Sequence, residues 1–251
     1  MVVIAVANQK GGVGKTTTTV NLGAYLAKLG QRVLIIDLDP QGNASSGLAI
    51  DKDHVDHSLY DVLVEGMSLA DVTLATRYPR LSIVPASPVL AAAEIELTKL
   101  PQRERRLRAS LEAAAYDIVL IDCPPSLGLL TVNGLVAADR LLIPVQAEYY
   151  ALEGLGQLLN TVARVKQALN PQLSLVGVVL TMHTARTSLS SAVAAEVEQH
   201  FPDMVCSTVI PRNIRLAEAP SHGRAIIDYD RFSKGARAYK ALAKEILARV
   251  S

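Results

Sequence analysis

The chain has 251 residues, half of them apolar, enough to bury the core of one large α/β domain. A formal net charge of +1 supplies no global field toward nucleic acid, so any such contact has to come from a local patch. Cys123 and Cys206 follow no metal or redox spacing, and no apolar run approaches the roughly 20 residues that cross a bilayer, so a reducing cytoplasmic setting is expected.

VVIAVA (2–7) reads as a first strand, too short for a signal peptide, and it runs straight into the glycines of NQKGGVGKTTTTVN (8–21). A helix is expected over 15–29. RVLIID (32–37), LSIVPA (81–86), YDIVLID (116–122), RLLIPV (140–145) and LSLVGVVL (173–180) follow as strands, with STVI (207–210) as a further candidate. Several are apolar without alternation, as expected of parallel strands covered on both faces. Helical periodicity marks about 88–99, 102–115, 126–138, 151–169, 188–200 and 233–249, with Pro101 separating the first two. The alternation predicts a doubly wound, mainly parallel α/β sheet flanked by helices, of P-loop type, in a single domain spanning 1–251.

Strand, glycine loop and helix in that order make a phosphate site. Gly11, Gly12 and Gly14 let the backbone bend and bring its N–H groups, with that of Val13, close to an anion. The start of the next helix, at Lys15, Thr16 and Thr17, adds a favourable dipole. Lys15 would lie on the β- and γ-phosphates and the Thr16 hydroxyl on Mg²⁺. Two strand ends add carboxylates facing the ligand crevice: Asp37 and Asp39 in IIDLDPQGN, and Asp122 in IVLIDCPPS, a Walker B pattern. One acid near the metal and another near the attacking water is the division of labour that phosphoryl transfer needs. No Asn is followed by Lys, so the guanine-reading motif is absent and ATP is the expected nucleotide.

One detail departs from G-x-x-x-x-G-K-[ST]: position 9 is Gln9, not glycine, and a second lysine, Lys10, opens the run K-G-G-V-G-K-T. Spacing alone leaves Lys10 either a solvated loop lysine or a functional one. This deviant loop resembles the ParA/MinD class of P-loop ATPases, and NQKGGVGKTTTTVNLGAYLA is similar to the ParA/Soj chromosome-partitioning branch. The resemblance implies that Lys10 reaches across an ATP-bound homodimer to the partner's nucleotide. It also implies that Asp39 orients or activates the water, that Asp37 lies near Mg²⁺, and that Pro211 and Asn213 of IPRN hold the adenine.

Three outputs are open. ARTSL (185–189) and PRNIRLAEAPSHGR (211–224) resemble ParA/Soj segments, which implies non-specific double-stranded DNA binding through Arg186 and Arg215, with Arg224 as a weaker addition. Charge alone favours a solvated basic edge for these arginines. A ParB-type centromere-binding partner that stimulates hydrolysis is implied too, as is association with the nucleoid. No DNA-binding extension precedes the P-loop, so a short form without operator autoregulation is expected. The second output is a MinD-like membrane ATPase, which would need an amphipathic last helix. There the stripe Tyr239, Leu242, Ile246 and Val250 reads instead as packing on the sheet, so no membrane contact is expected. The third is a metabolic P-loop enzyme. DKDHVDH (51–57) is expected to be a surface loop or helix start, and RERRLR (103–108) a solvated helix face.

Overall fold

The computed structural model describes residues 1–148, 151–184 and 188–250. In chain order it holds β1 (Val2–Val6), α1 (Lys15–Lys28), β2 (Val33–Asp37), α2 (Asn43–Gly47), α3 (Leu69–Val72), β3 (Leu74–Ala75), β4 (Leu81–Val84), α4 (Leu90–Glu96), α5 (Arg106–Ser110), β5 (Ile118–Asp122) and α6 (Leu129–Ala137). It continues with β6 (Arg140–Gln146), α7 (Ala151–Ala168), β7 (Ser174–Thr181), α8 (Ser188–His200), α9 (Ile214–Glu218), α10 (Ile226–Tyr229) and α11 (Lys234–Val250). One seven-stranded sheet runs β3-β4-β2-β5-β1-β6-β7, parallel except for β3.

The strands are apolar throughout because both faces are covered. Val3, Ala5, Leu34, Ile36, Val119 and Ile121 point into a core under α4 to α8. Their alternates Ile4, Val6, Ile35, Ile118 and Leu120 point into a second core under α1 and α11. Each fully buried Ile or Leu contributes roughly 1.5–3 kcal/mol. Helix α1 lies so close to the sheet that a Cβ on Gly23 would stand 2.9 Å from Ile35 Cδ1. Register brings the carboxyl ends of the three central strands level: Val6 pairs with Asp122, and Asp122 with Asp37. The site's acids are thereby set beside the loop that follows β1.

Three details differ from expectation. STVI forms no strand; this stretch meets β7 only through single contacts, such as Ile210 N donating to Leu180 O at 2.8 Å. The edge strand β3 is two exposed residues, too short to show a pattern. The helix expected over 102–115 is only α5; Arg103, Arg105 and Arg108 of RERRLR are exposed, as expected of a solvated face, but the guanidiniums also reach carbonyls of the fold. Arg106 donates to Leu63 O at 2.8 Å, Arg108 to Val136 O at 3.2 Å and Arg105 to Leu169 O at 3.3 Å, satisfying carbonyls at the ends of neighbouring helical segments. In DKDHVDH, His54 pairs with Asp51 at 2.9 Å, and among the described residues no cluster suited to a metal occurs.

The last helix packs as expected. Tyr239, Leu242 and Ile246 are buried, and the Tyr239 hydroxyl meets Thr18 Oγ1 of α1 at 3.1 Å. No described helix is long and apolar enough to cross a membrane.

Candidate functional site

The loop between β1 and α1 turns through the left-handed region at Gly12 (φ 75°) and Gly14 (φ 89°), which a side chain would strain. Gly14 caps α1, so the helix N-terminus opens onto the loop. Val13 contributes only backbone: its side chain is buried and its carbonyl accepts a 2.7 Å hydrogen bond from Thr181 Oγ1 of β7. Asn8 anchors the other side, donating to Pro144 O at 2.7 Å. Gly11, Gly12, Gly14, Lys15, Thr16 and Asp39 line a cleft of about 450 Å³. A second cleft of about 390 Å³, lined by Pro211 and Asn213, shares Gly14, Thr17 and Met182 with the first. Together they form one trough with a polar end and an apolar end, the shape a nucleotide requires.

Lys15 is buried, and its ammonium donates to the Lys10 carbonyl at 3.2 Å. Desolvation holds its pKa below the usual lysine value, against the pull of Asp122 and Asp39. Lys10 stands at the mouth, its Nζ 3.8 Å from Glu148 Oε2, while Glu148 Oε1 lies 3.4 Å from Arg212. Asp39 is 7% exposed; its Oδ1 accepts from Gln41 N at 2.9 Å.

Behind the cleft, Asp37 and Asp122 are both fully buried. Thr16 and Thr19 donate to Asp122 at 2.7 and 3.1 Å, and Ser45 donates twice to Asp37 Oδ2, at 2.8 and 2.7 Å. Asp37 Oδ1 has no hydrogen-bond partner among the described residues. Desolvation, and for Asp122 the facing Asp37, raises both carboxyls, to about 6 for Asp37 and about 8 for Asp122. Two buried acids, one with an orphan oxygen, beside a threonine hydroxyl form an oxygen-donor set that suits a hard divalent cation such as Mg²⁺. Cys123, next to Asp122, is buried and its thiol is pushed far up by desolvation, so it is no nucleophile here.

The apolar end is built by the turn after Ile210. Pro211 bridges to His183, and Asn213 Oδ1 caps α9 by accepting from Arg215 N at 2.9 Å. Of the three arginines expected at DNA, Arg224 is exposed and lines the phosphate end. Arg215 lies outside the trough, paired with Glu218 at 2.9 Å and Asp230 at 3.8 Å. Arg186 lies outside the described residues.

Sequence reasoning missed Thr181, Met182, Ser45 and Glu148. Thr181 and Met182, at the end of β7, reach the loop only because β7 and β6 stack beside β1; Met182 takes φ 50° there. Ser45 follows Asp37 closely enough that strand-end acid plus nearby serine was a visible signal.

A glycine loop feeding a helix at the carboxyl end of a parallel sheet, backed by a buried acid on the next strand, defines a P-loop nucleotide hydrolase. A family model described as an AAA domain matches residues 1–175. The sporulation initiation inhibitor protein Soj of Bacillus subtilis (strain 168) is 57% identical over 248 residues, 98% of each chain. The chromosome partitioning protein ParA of Caulobacter vibrioides is 51% identical, covering 98% of this chain and 94% of its own length. Among solved structures, cobyrinic acid a,c-diamide synthase from Mycobacterium smegmatis with bound ATP analog and magnesium is 38% identical with a TM-score of 0.88, covering 100% of this chain and 96% of its own. The chain belongs to the Soj/ParA family of chromosome-partitioning ATPases.

Proposed function

We propose that the chain is a nucleotide switch for DNA segregation: ATP with Mg²⁺ joins two copies, the pair holds DNA non-specifically, and hydrolysis separates them. The observation that carries this reading is the position of the two lysines. Lys15 is buried against the loop, whereas Lys10 is a partly exposed cation at the cleft mouth whose ion pair among the described residues is an open one with Glu148. Mg·ATP keeps about two negative charges, and a second copy's Lys10 can reach a triphosphate that its own Lys15 already covers from behind.

The loop amides, Lys15, Thr16 and Thr17 would hold the phosphates, and Pro211 and Asn213 the adenine. Thr16, Asp37 and Asp122 would hold Mg²⁺, the acids through water. The bound cation neutralises phosphate charge. Asp39, which lines the phosphate end, would orient the attacking water.

Duplex DNA would meet Arg215, Arg224 and Arg186. A few cations per subunit give weak non-specific attachment, roughly 10⁻⁴–10⁻⁶ M. Doubling the patch by dimerisation raises avidity without adding to either patch. A ParB-type protein that stimulates hydrolysis completes the cycle, and the ATP-bound form would reside on the nucleoid. A membrane output is disfavoured, because the apolar stripe it needs is covered by α1 and the sheet.

The test is sizing of the wild type and Asp39→Ala with ATP, with and without duplex DNA. Asp39→Ala should accumulate as a DNA-bound dimer; monomers under every condition refute the switch.

A further inference from the structure

On the far side of α1 from the nucleotide lies a groove of about 850 Å³ that the site above does not use. Three separate stretches of chain build it: the end of α1 with Lys28, the turn before β4 with Arg77 and Arg80, and the segment before α11 with Arg231 and Phe232. Lys28, Arg77, Arg80 and Arg231 all line it, and Arg80 donates to Gly30 O at 3.1 Å. Arg231 lies 4.6 Å over the Phe232 ring. Phe232 is 75% exposed, the most open large apolar side chain among the described residues.

Pairing separates this cluster from the arginines near the trough. Arg212 has Glu148 as an acidic partner, and Arg215 has Glu218 and Asp230. Lys28, Arg77, Arg80 and Arg231 make no ion pair among the described residues. Facing them across the groove are Asp228 and Asp230, the latter already 3.8 Å from Arg215. Four cations against two acids leave a local excess of two positive charges in a chain whose total is only +1. An excess gathered from three segments into a groove suits a polyanion better than a small ligand, since no buried polar group there would select one.

We infer that this groove, lined by Arg77 and Arg231, seats the sugar-phosphate backbone of duplex DNA, with Arg215 at its rim and with Arg224, which lines the phosphate cleft instead, outside the contact. The inference rests on the DNA-binding reading above and says where the duplex lies. Two observations support it. Helix α1 has 14 residues, so the groove stands about 20 Å from the phosphate end of the trough and leaves that face open to a second copy. A short run of chain also joins the two places. Arg224 lines the phosphate cleft, the next residue donates from Ala225 N to Tyr78 Oη at 2.8 Å, and Ile226 N donates to Asn21 Oδ1 at 2.7 Å. Tyr78 lines the groove and Asn21 the phosphate cleft, so a shift at the nucleotide has a direct path to the DNA seat.

The experiment uses the full chain as wild type, Arg77→Glu/Arg231→Glu and Arg215→Glu, each with ATP, titrated with random-sequence duplex at several salt concentrations. The double variant should keep ATP-dependent dimerisation and DNA-free ATPase activity. Its affinity for duplex should drop by at least tenfold. Its log–log salt slope should flatten by about 0.9 for each phosphate it no longer neutralises, more than for Arg215→Glu. If the double variant matches wild type while Arg215→Glu fails to bind DNA, the groove is the wrong seat and the reading of DNA binding stands. If wild type itself never binds duplex, that broader reading falls and this one with it. Anionic phosphatidylglycerol vesicles serve as a second probe: binding to them in place of duplex, abolished in the double variant, assigns the groove to a lipid surface and overturns the inference.

Discussion

Lys10 and Glu148 face each other at the mouth of the nucleotide trough, Nζ to Oε2 3.8 Å, with Arg212 on the other oxygen of the same carboxylate. Both partners are partly solvated, and such a pair is worth about 0–1 kcal/mol. Glu148 is thus a weak restraint on the cation that a second copy would use. Lys10→Ala should abolish ATP-dependent pairing without lowering thermal stability. Glu148→Gln should leave stability unchanged and raise the dimer fraction at limiting ATP by up to about fivefold, the factor that a restraint of this size permits. Light scattering across an ATP titration measures both; unchanged pairing in Lys10→Ala removes the lysine from the interface.

Asp39 lines the phosphate end, and its side chain serves the fold by receiving Gln41 N at 2.9 Å. Its replacement by alanine should therefore spare nucleotide affinity while lowering turnover by about 10²–10⁴, the usual range for a positioned base. Steady-state ATPase rates beside nucleotide binding isotherms separate the two effects.

Asp37 and Asp122 set a pH dependence. Desolvation raises both folded-state values above the ordinary carboxyl value of 3.8, to about 6 and about 8. The folded protein therefore holds protons that the unfolded chain has released. The pair's contribution is complete below the unfolded value and is lost as pH climbs through the folded ones. In the absence of metal, Asp37→Asn should gain in melting temperature on wild type as pH rises from about 4 to about 6, and further toward about 8 as Asp122 loses the neighbouring charge that raises it. Adding Mg²⁺ with ATP should reverse that order at the high end, since the cation replaces the proton, and chelation should restore it. Scanning calorimetry at matched ionic strength gives the comparison.

Thr181 ties the phosphate loop to β7 through the Val13 carbonyl at 2.7 Å, in a buried setting. Thr181→Val keeps the shape and removes the donor, which should cost about 1 kcal/mol, more if the carbonyl stays dry. Because the carbonyl sits inside the phosphate loop, nucleotide affinity should fall with stability, by several-fold. An intact affinity in a destabilised protein limits Thr181 to a structural role.

The phosphate loop, the strand-end acids and the parallel sheet were legible because each is a local matter. Glycines at 11, 12 and 14 permit a backbone bend, unbroken apolar runs announce strands covered twice, and an acid closing such a run marks a crevice. What the linear pattern could not carry were interactions made across the sheet. Nothing near Thr181 in the chain shows that its hydroxyl meets a carbonyl 168 residues earlier. RERRLR has the composition of a nucleic-acid patch, yet folding points its guanidiniums at helix carbonyls. Whether an arginine is free or already matched depends on which acids the fold delivers beside it, and that is a property of three-dimensional neighbours. So the sequence determined which chemistry the chain holds, and tertiary structure decided which of its charges remain to be used.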